Sequence, residues 1–365
     1  MVMRPHNLVL ITTHQCTAAC DGCCLSCGPS NTRRIPYERL SNLIAEASEL
    51  SSLRTIVFSG GECFLLGDEL DSLVTCAQGY GLATRCVTNG YWAGSRQTAE
   101  RRTGRLAKAG LKEITFSTGA FHSQYVPVER VINGVCASVR AGLKTRVYVE
   151  DSVQAAFEID SLLRNSELER LLSKRQLKIN RGVWVQNGGR GGPADHSDHA
   201  RFAHNGAKGC SGVLQELAVT PNEILGACCG LNLEEIPPLQ LGSLRNASLG
   251  NCIREAPDDF LKIWIRVDGP ERIWKFIRRH VPDHEWRPAA VHPCETCLRL
   301  YRDEKAMQIV RDYYQEVEPR IRLTYLTRLA FAEAGRAFVS LRSGLAARTR
   351  SMFRGESSSY SPCGG

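Results

Sequence analysis

Residues 7–27 read NLVLITTHQCTAACDGCCLSC, an apolar run of strand type that passes within a few residues into a loop holding five cysteines. The spacing C-x3-C-x2-C occurs twice in this loop, at Cys16, Cys20 and Cys23, and again at Cys20, Cys24 and Cys27. The first triplet starts close behind the predicted strand, whereas the second would leave Cys16 and Cys23 unused. We therefore predict Cys16, Cys20 and Cys23 as ligands, with Cys24 and Cys27 as bystanders that pack the loop.

Outward from this loop, strand-like and helix-like segments alternate. Apolar strand-like runs lie at 7–13, 54–60, 83–90, 112–119, 144–150 and 178–186. Segments with apolar residues at helical spacing separate them, at about 36–50, 67–80, 95–109, 127–142 and 158–173. Alternation of this kind predicts an α/β fold whose β-α units build a parallel sheet, open or closed into a barrel.

The pattern changes after about residue 200. A short hairpin is predicted from LQELAVT and NEILGACC, with Pro221-Asn222 at the turn. Helical segments follow at about 257–280 and 303–349, and the Ser- and Gly-rich end is predicted to be flexible. We predict four regions: a barrel domain at 1–195, a small cysteine-rich α+β domain at 200–300, C-terminal helices at 301–353 and a tail at 354–365.

Composition indicates metal or redox chemistry. The chain has 365 residues, of which 43% are hydrophobic and 16 are cysteine. A chain of this length does not need disulfides as staples, and neither a signal peptide nor a membrane-spanning run is visible. We therefore expect a cytoplasmic protein whose cysteines bind metal.

The net charge of +8 is unevenly distributed. Residues 320–365 contain eight Arg, no Lys and two Glu, a net +6, so the rest of the chain is close to neutral. This argues against a nucleic-acid-binding face. The basic, amphipathic segment 320–353 is expected to dock on the enzyme, with an acidic peptide or a membrane surface as alternative partners.

Three thiolates on one tight loop can hold three irons of a [4Fe–4S] cluster. The fourth iron then lacks a protein ligand, and that open position can bind a substrate or cofactor. A zinc site remains the alternative, although zinc sites usually divide their ligands between two separated pairs.

With this loop, three further motifs in the same order resemble the radical S-adenosylmethionine (SAM) enzymes. Ser59-Gly60-Gly61-Glu62 follows the second predicted strand, Thr88-Asn89-Gly90 ends the third, and Ser117 ends the fourth. The resemblance implies a partial (β/α)6 TIM-like barrel in which Cys16, Cys20 and Cys23 hold a catalytic [4Fe–4S] cluster. It also implies that SAM is bound by Ser59, Gly60, Gly61, Glu62, Asn89 and Ser117.

Two positions depart from that family pattern. The residue before the third cysteine, often aromatic in the family, is Gly22. Where the family often carries an Asp after the fourth strand, the run Ser117–His122 has no carboxylate, and Ala120 stands where one is plausible. Adenine contacts are therefore expected from elsewhere in the chain, and ribose binding or proton handling by a carboxylate after the fourth strand is not predicted.

The cysteines after residue 200 resemble the SPASM/twitch extensions of radical SAM enzymes. The resemblance implies one auxiliary iron–sulfur cluster, expected as [4Fe–4S], held by Cys210, Cys228, Cys294 and Cys297. Cys229 is an alternative to Cys228 that the sequence does not separate. A four-cysteine zinc site or unliganded buried thiols are the other interpretations.

The resemblance implies reductive cleavage of SAM to a 5′-deoxyadenosyl radical that abstracts a hydrogen atom. The expected substrate is a ribosomally synthesised peptide that receives a cross-link, a thioether or an epimerised centre. No leader-binding domain precedes the first strand, so a separate leader-binding protein or the basic helix is expected to recognise it. Flavodoxin or ferredoxin is the expected reductant. A small-metabolite enzyme and a non-catalytic iron–sulfur or zinc scaffold are the alternatives.

Overall fold

The computed structural model describes residues 2–21, 23–150, 162–182, 209–229, 233–282, 292–332 and 334. Nine strands within these residues form a single sheet. They are β1 (Asn7–Ile11), β2 (Thr55–Ser59), β3 (Ala83–Thr88), β4 (Glu113–Thr118), β5 (Lys144–Glu150), β6 (Leu177–Gly182), β7 (Glu216–Val219), β8 (Ile224–Gly226) and β9 (Gln240–Ser243).

The sheet is parallel through most of its width. Its order is β6-β5-β4-β3-β2-β1-β7-β8-β9, and every neighbouring pair from β6 to β7 is parallel. Only the last two pairs, β7 with β8 and β8 with β9, are antiparallel. The predicted α/β class with a parallel core is confirmed, and among the nine described strands the two end strands, β6 and β9, do not pair with each other.

Helices connect the parallel strands and then form a group near the C-terminus. They are α1 (Tyr37–Ser48), α2 (Asp68–Gly79), α3 (Arg96–Ala109), α4 (Ala120–Ser123), α5 (Val128–Arg140), α6 (Ser166–Ser173), α7 (Leu249–Glu255), α8 (Phe260–Val267), α9 (Pro270–His280), α10 (Pro293–Arg302) and α11 (Glu304–Tyr313). Residues 318–332 are also helical. Among the described helices, none is both long and apolar enough to cross a membrane.

The first strand is buried on both faces because two hydrophobic cores meet there. Leu8 and Leu10 pack into the core formed with α1, α2, α3 and α5, whereas Val9 and Ile11 pack into the core formed with α8 to α11. Side chains alternate between the faces of a strand, which explains this division. The loop that leaves β1 therefore emerges between the two halves of the molecule.

The predicted hairpin is present, but it continues the barrel sheet. β7 pairs with β1 in parallel register, from Asn7 opposite Glu216 to Leu10 opposite Val219. The cysteine-rich region is thus joined to the barrel by main-chain hydrogen bonds. The predicted boundary near 195–200 and the predicted tail lie outside the described residues.

The helix predicted over 257–280 is two helices. Gly269 has a φ of 84° and Pro270 occupies the first turn of α9. Proline cannot donate the backbone hydrogen bond that an uninterrupted helix would need, and glycine accepts the left-handed conformation. The break therefore falls at a Gly-Pro pair that is visible in the sequence.

Candidate functional site

The cysteine loop after β1 is closed at its base by main-chain hydrogen bonds. Cys16 N donates to Gly28 O at 3.2 Å, and Gly28 N donates to His14 O at 3.2 Å. Inside the loop, Cys23 N donates to Cys20 O at 3.2 Å. These bonds bring Cys16, Cys20 and Cys23 onto one compact turn.

Two glycines let the loop after β2 lie against the base of the cysteine loop. Gly61 N donates to Thr13 O at 2.7 Å. A Cβ atom on Gly61 would stand 2.2 Å from Gln15 O, and one on Gly60 would stand 2.5 Å from Thr13 O. Because no side chain fits between these backbones, the Gly-Gly sequence is a packing requirement of this loop.

Glu62 ties the ends of β2 and β3 together. Its side chain is buried and accepts hydrogen bonds from Phe64 N at 3.0 Å, Thr88 Oγ1 at 2.9 Å and Asn89 N at 2.8 Å. Burial raises the pKa of Glu62 to about 7, although these donors oppose the shift. In the structure the Glu62 carboxylate is bound by these three donors of the protein itself. Its contact with SAM therefore stays a prediction.

Asn89 reaches from β3 to the cysteine loop. Its Nδ2 donates to Thr17 Oγ1 at 3.1 Å and lies 3.6 Å from Cys16 Sγ. Its Oδ1 accepts a hydrogen bond from Tyr91 N at 3.0 Å, which fixes the orientation of the amide. The predicted site residue Asn89 therefore helps to hold the loop as well as bordering the site.

A cavity of about 330 Å³ collects most of the predicted residues. The predicted residues on its wall are Cys16, Cys20, Cys23, Ser59, Gly60, Gly61, Asn89 and Ser117. The predicted bystanders Cys24 and Cys27 border it too. The carboxyl ends of β1 to β4 thus converge on one space, where ligands of parallel α/β sheets bind.

The three predicted ligand thiols differ in their electrostatic surroundings. Burial raises the pKa of Cys16 to about 11 and that of Cys20 to about 12. A hydrogen bond from the Cys27 thiol, together with Cys27 N at 3.4 Å, lowers the pKa of Cys23. Burial disfavours a thiolate unless a cation or hydrogen-bond donors stabilise it.

A carboxylate that was not predicted from the sequence lies next to a residue of this cavity wall. Glu150, at the end of β5, is 1% exposed, and its Oε2 lies 3.5 Å from Nδ1 of His122, which borders the cavity. Phe121 N donates to the other oxygen of Glu150. Ala120 stands where an Asp is common in the resembling family, and the buried carboxylate of Glu150 lies close to that position. The pairing of β4 with β5 brings Glu150 there.

A second group of cysteines lies in the C-terminal half. Cys210, Cys228, Cys229, Cys294 and Cys297 border one cavity of about 40 Å³. The rest of its wall is apolar, with Val213, Ile236, Leu239, Ile265, Pro270 and Pro293. All four predicted auxiliary ligands therefore border one small, apolar cavity.

Both members of the Cys228-Cys229 pair face this small cavity. A Cβ atom on Gly212 would lie 3.7 Å from Cys229 Sγ and 3.8 Å from Cys210 Sγ. Burial raises the pKa of Cys294 and Cys297 well above the ordinary value, and the neighbouring cysteines add to the shift. Cys252 instead packs between α7 and β9, with its Sγ 3.7 Å from Ser243 O.

In the part of the chain that the structure describes, no three His, Cys, Asp or Glu side chains are arranged to hold a metal ion. The thiols border two cavities and do not converge on the position of a single metal ion. Thiolates spaced around a cavity suit an iron–sulfur cluster, because such a cluster contains several irons and its protein ligands are cysteines. The donor sets of both sites fit such a cluster.

Comparison with known proteins gives one sequence relative and several structural ones. No protein-family model matches the chain. YydG of Bacillus subtilis (strain 168), whose name assigns it to peptide biosynthesis, is 27% identical over 119 residues. That match covers 33% of this chain and 37% of the relative, so it spans little more than a third of that protein.

The solved structures share the fold at low sequence identity. AnSMEcpe with bound AdoMet and the Kp18Cys peptide aligns with a TM-score of 0.51 at 11% identity, covering 88% of this chain and 99% of that chain. AnSMEcpe with AdoMet and the Cp18Cys peptide gives 0.50 at 10% identity, with the same coverage. These alignments show that the chain shares the fold of the anSMEcpe structures, and the cysteine, Gly-Gly-Glu and Thr-Asn-Gly motifs lie at the strand ends of that fold as described above.

Proposed function

We propose that this chain cleaves SAM reductively and uses the resulting 5′-deoxyadenosyl radical to modify a peptide. One observation carries the proposal: the cavity of about 330 Å³ joins three loop thiols to Ser59, Gly60, Gly61 and Asn89. Cys16, Cys20 and Cys23 would hold a [4Fe–4S] cluster, and the chemistry that this group would supply when bound is one-electron reduction of the SAM sulfonium, with cleavage of its C–S bond and release of methionine.

The chain's own residues position and enclose the reactants. Gly60 and Gly61 border the cavity, and because neither has a side chain, the base of the cysteine loop packs directly against them. Asn89 holds the cysteine loop through Thr17, and Glu62 holds Asn89. Leu25, Val87 and Ala18 supply apolar wall that excludes water from the reacting groups.

The second cysteine site is proposed to hold one auxiliary iron–sulfur cluster. The structure offers five thiols around the small cavity, one more than a cluster needs. We propose Cys210, Cys228, Cys294 and Cys297 as its ligands, with Cys229 as the alternative to Cys228. A cluster closed by four cysteines has no open iron, so electron transfer or support of the fold suits it better than direct substrate binding.

A peptide substrate is supported by the relatives. YydG is named for peptide biosynthesis, and the anSMEcpe structures hold peptides together with AdoMet. We further propose flavodoxin or ferredoxin as reductant and a separate protein that binds the peptide leader. Cross-linking, thioether formation and epimerisation all begin with removal of one hydrogen atom from the peptide.

The test is anaerobic incubation of the reconstituted chain with SAM and dithionite, with detection of 5′-deoxyadenosine by mass spectrometry. The chain is then coexpressed with short peptides encoded beside its gene, and their masses are recorded in H₂O and D₂O. A cross-link or thioether removes two hydrogens, and epimerisation in D₂O adds a deuterium. Cleavage of SAM without any change in these peptides would favour a small metabolite, and no cleavage at all would favour a scaffold.

A further inference from the structure

One residue on the wall of the large cavity comes from the far end of the chain. Of the seventeen described residues that border this cavity, sixteen lie between positions 16 and 148, and the other is His292. His292 directly precedes α10, the helix that carries Cys294 and Cys297. These two cysteines border the small cavity.

His292 is bonded to the helix as well as bordering the cavity. Its Nδ1 accepts a hydrogen bond from Cys294 N at 3.1 Å, which makes His292 the N-cap of α10. In a neutral imidazole whose Nδ1 accepts, the ring proton lies on Nε2. The cap therefore fixes the orientation of a ring that also forms part of the cavity wall.

Capping alone does not account for a histidine at this position. Ser, Thr, Asp and Asn are the usual N-cap residues, and other helices of this chain use them: Ser248 caps α7, Asp259 caps α8 and Asp303 caps α11. Helix α10 is capped instead by the longer side chain of His292, a residue that also borders the large cavity between the cysteine loop and the strand ends.

We propose that His292 is a positioning residue shared by the two cysteine sites: a ligand filling the large cavity orders its ring, and the ring holds the first turn of α10 with Cys294 and Cys297. The inference rests on the proposed function, because it takes SAM as that ligand. Binding that restricts His292 should reduce opening of the α10 N-terminus, since one ordering event serves both sites.

The experiment is hydrogen–deuterium exchange of the anaerobic, reconstituted full chain, with and without SAM and without reductant, so that SAM is not consumed. In the wild type, SAM should slow amide exchange across residues 294–300 by about fivefold or more, the lower end of typical coupling between sites. Exchange in α7, whose cap Ser248 is not on the wall of the large cavity, serves as the internal reference.

The variants separate the ring from the cap. His292→Asn and His292→Asp retain an N-cap acceptor for Cys294 N but remove the ring. We expect both to keep the iron content of the wild type and to lose the effect of SAM on residues 294–300. An equal effect of SAM in the variants, or no effect in the wild type, would overturn the inference.

The same samples also test the proposed function independently. After exchange, dithionite is added and 5′-deoxyadenosine is measured. Cleavage of SAM with no coupling to α10 rejects the role of His292 alone. No cleavage by the wild type rejects the proposed function, whatever the exchange data show.

Discussion

The two cysteine sites are built in opposite ways. Cys16, Cys20 and Cys23 lie within eight residues of one loop and border a cavity of about 330 Å³ with polar groups on its wall. The C-terminal thiols come from three separated segments and border an apolar cavity of about 40 Å³. The first site has room for a small molecule beside its thiols, whereas the second has little space beyond them.

This difference assigns separate tasks to the two sites. The proposed catalytic cluster needs an open coordination position and space for SAM, and the first site has a cavity of about 330 Å³ beside its thiols. The auxiliary cluster proposed for the second site would instead lie among apolar side chains. We therefore propose that the chemistry takes place at the N-terminal loop and that the C-terminal site has a supporting role.

The largest effect is expected at the first site. Cys20→Ala should abolish formation of 5′-deoxyadenosine, because two thiolates do not hold the cluster in place. Cys27→Ala should leave most of it, since Cys27 is expected to donate to Cys23 rather than to bind iron. Mass spectrometric assay of both variants with dithionite checks this. Loss of activity in Cys27→Ala, with Cys16→Ala active, would move the cluster to the second triplet.

The next effect separates the second site from the first. The double variant Cys294→Ala, Cys297→Ala should lower iron from about eight to about four per chain and still cleave SAM. Cys252→Ala is the matched control, because its thiol packs against β9 and should leave the iron content unchanged. Iron and sulfide analysis measures both. Unchanged iron in the double variant would show that these thiols hold no cluster.

A smaller effect is expected from the glycine beneath the cysteine loop. Gly61→Ala places a Cβ atom 2.2 Å from Gln15 O, so the backbone must move. We expect the free energy of unfolding to fall by about 1–3 kcal/mol. Cleavage of SAM should fall while the auxiliary iron remains. Gly104→Ala, inside α3 with nothing within 4 Å of the added Cβ, should instead stabilise by about 0.5–1 kcal/mol. Thermal unfolding compares the two, and equal shifts would contradict the packing argument.

The smallest effect is expected on the stability of the helices beside the second cysteine site. Asp268, between α8 and α9, accepts hydrogen bonds from Arg320 Nη2 at 2.7 Å and Trp264 Nε1 at 3.2 Å. Asp268→Asn should cost about 1–2 kcal/mol, a modest value because Arg320 is exposed to solvent. Urea unfolding of both proteins at neutral pH measures this difference.

Acid should reduce the difference in unfolding free energy between the wild type and Asp268→Asn. Burial would raise the pKa of Asp268, but the bonds from Arg320 and Trp264 and the charge of Arg272 lower it overall. A carboxyl with a lowered pKa stabilises the fold above its ordinary pKa, and the contribution is lost as pH falls through the folded value. The gap between wild type and Asp268→Asn should therefore be constant near neutral pH and shrink in acid. A gap that widens in acid would contradict this sign.

The first site was largely predictable because its signals are local. A cysteine triplet behind a strand, a Gly-Gly pair behind the next strand and an Asn behind the third are all visible in sequence, and the parallel sheet brings strand ends together. The helices α1, α2, α3 and α5 lie within two residues of the predicted segments. Periodicity was sufficient there because each helix buries one face on the sheet.

Glu150 and His292 were not predicted, for a physical reason. Each becomes a neighbour of the cavity only through tertiary structure: Glu150 through the register of β5 on β4, and His292 through the start of α10. Glu150 lies near no recognised motif in the chain, and the motif that follows His292, the Cys294–Cys297 pair, was assigned to the other cysteine site. The pairing of β7 with β1 was missed likewise, because a four-residue strand carries no signal of its partner.

The most direct test of the account is anaerobic iron and sulfide analysis of the reconstituted wild type and the Cys16/Cys20/Cys23→Ala triple variant, with SAM cleavage assayed on the same samples. We predict about eight irons in the wild type and about four in the variant, with cleavage lost. A variant that still cleaves SAM would contradict the catalytic assignment of the N-terminal loop. A variant that holds no iron would contradict the auxiliary cluster and leave the C-terminal thiols as zinc ligands or packed side chains.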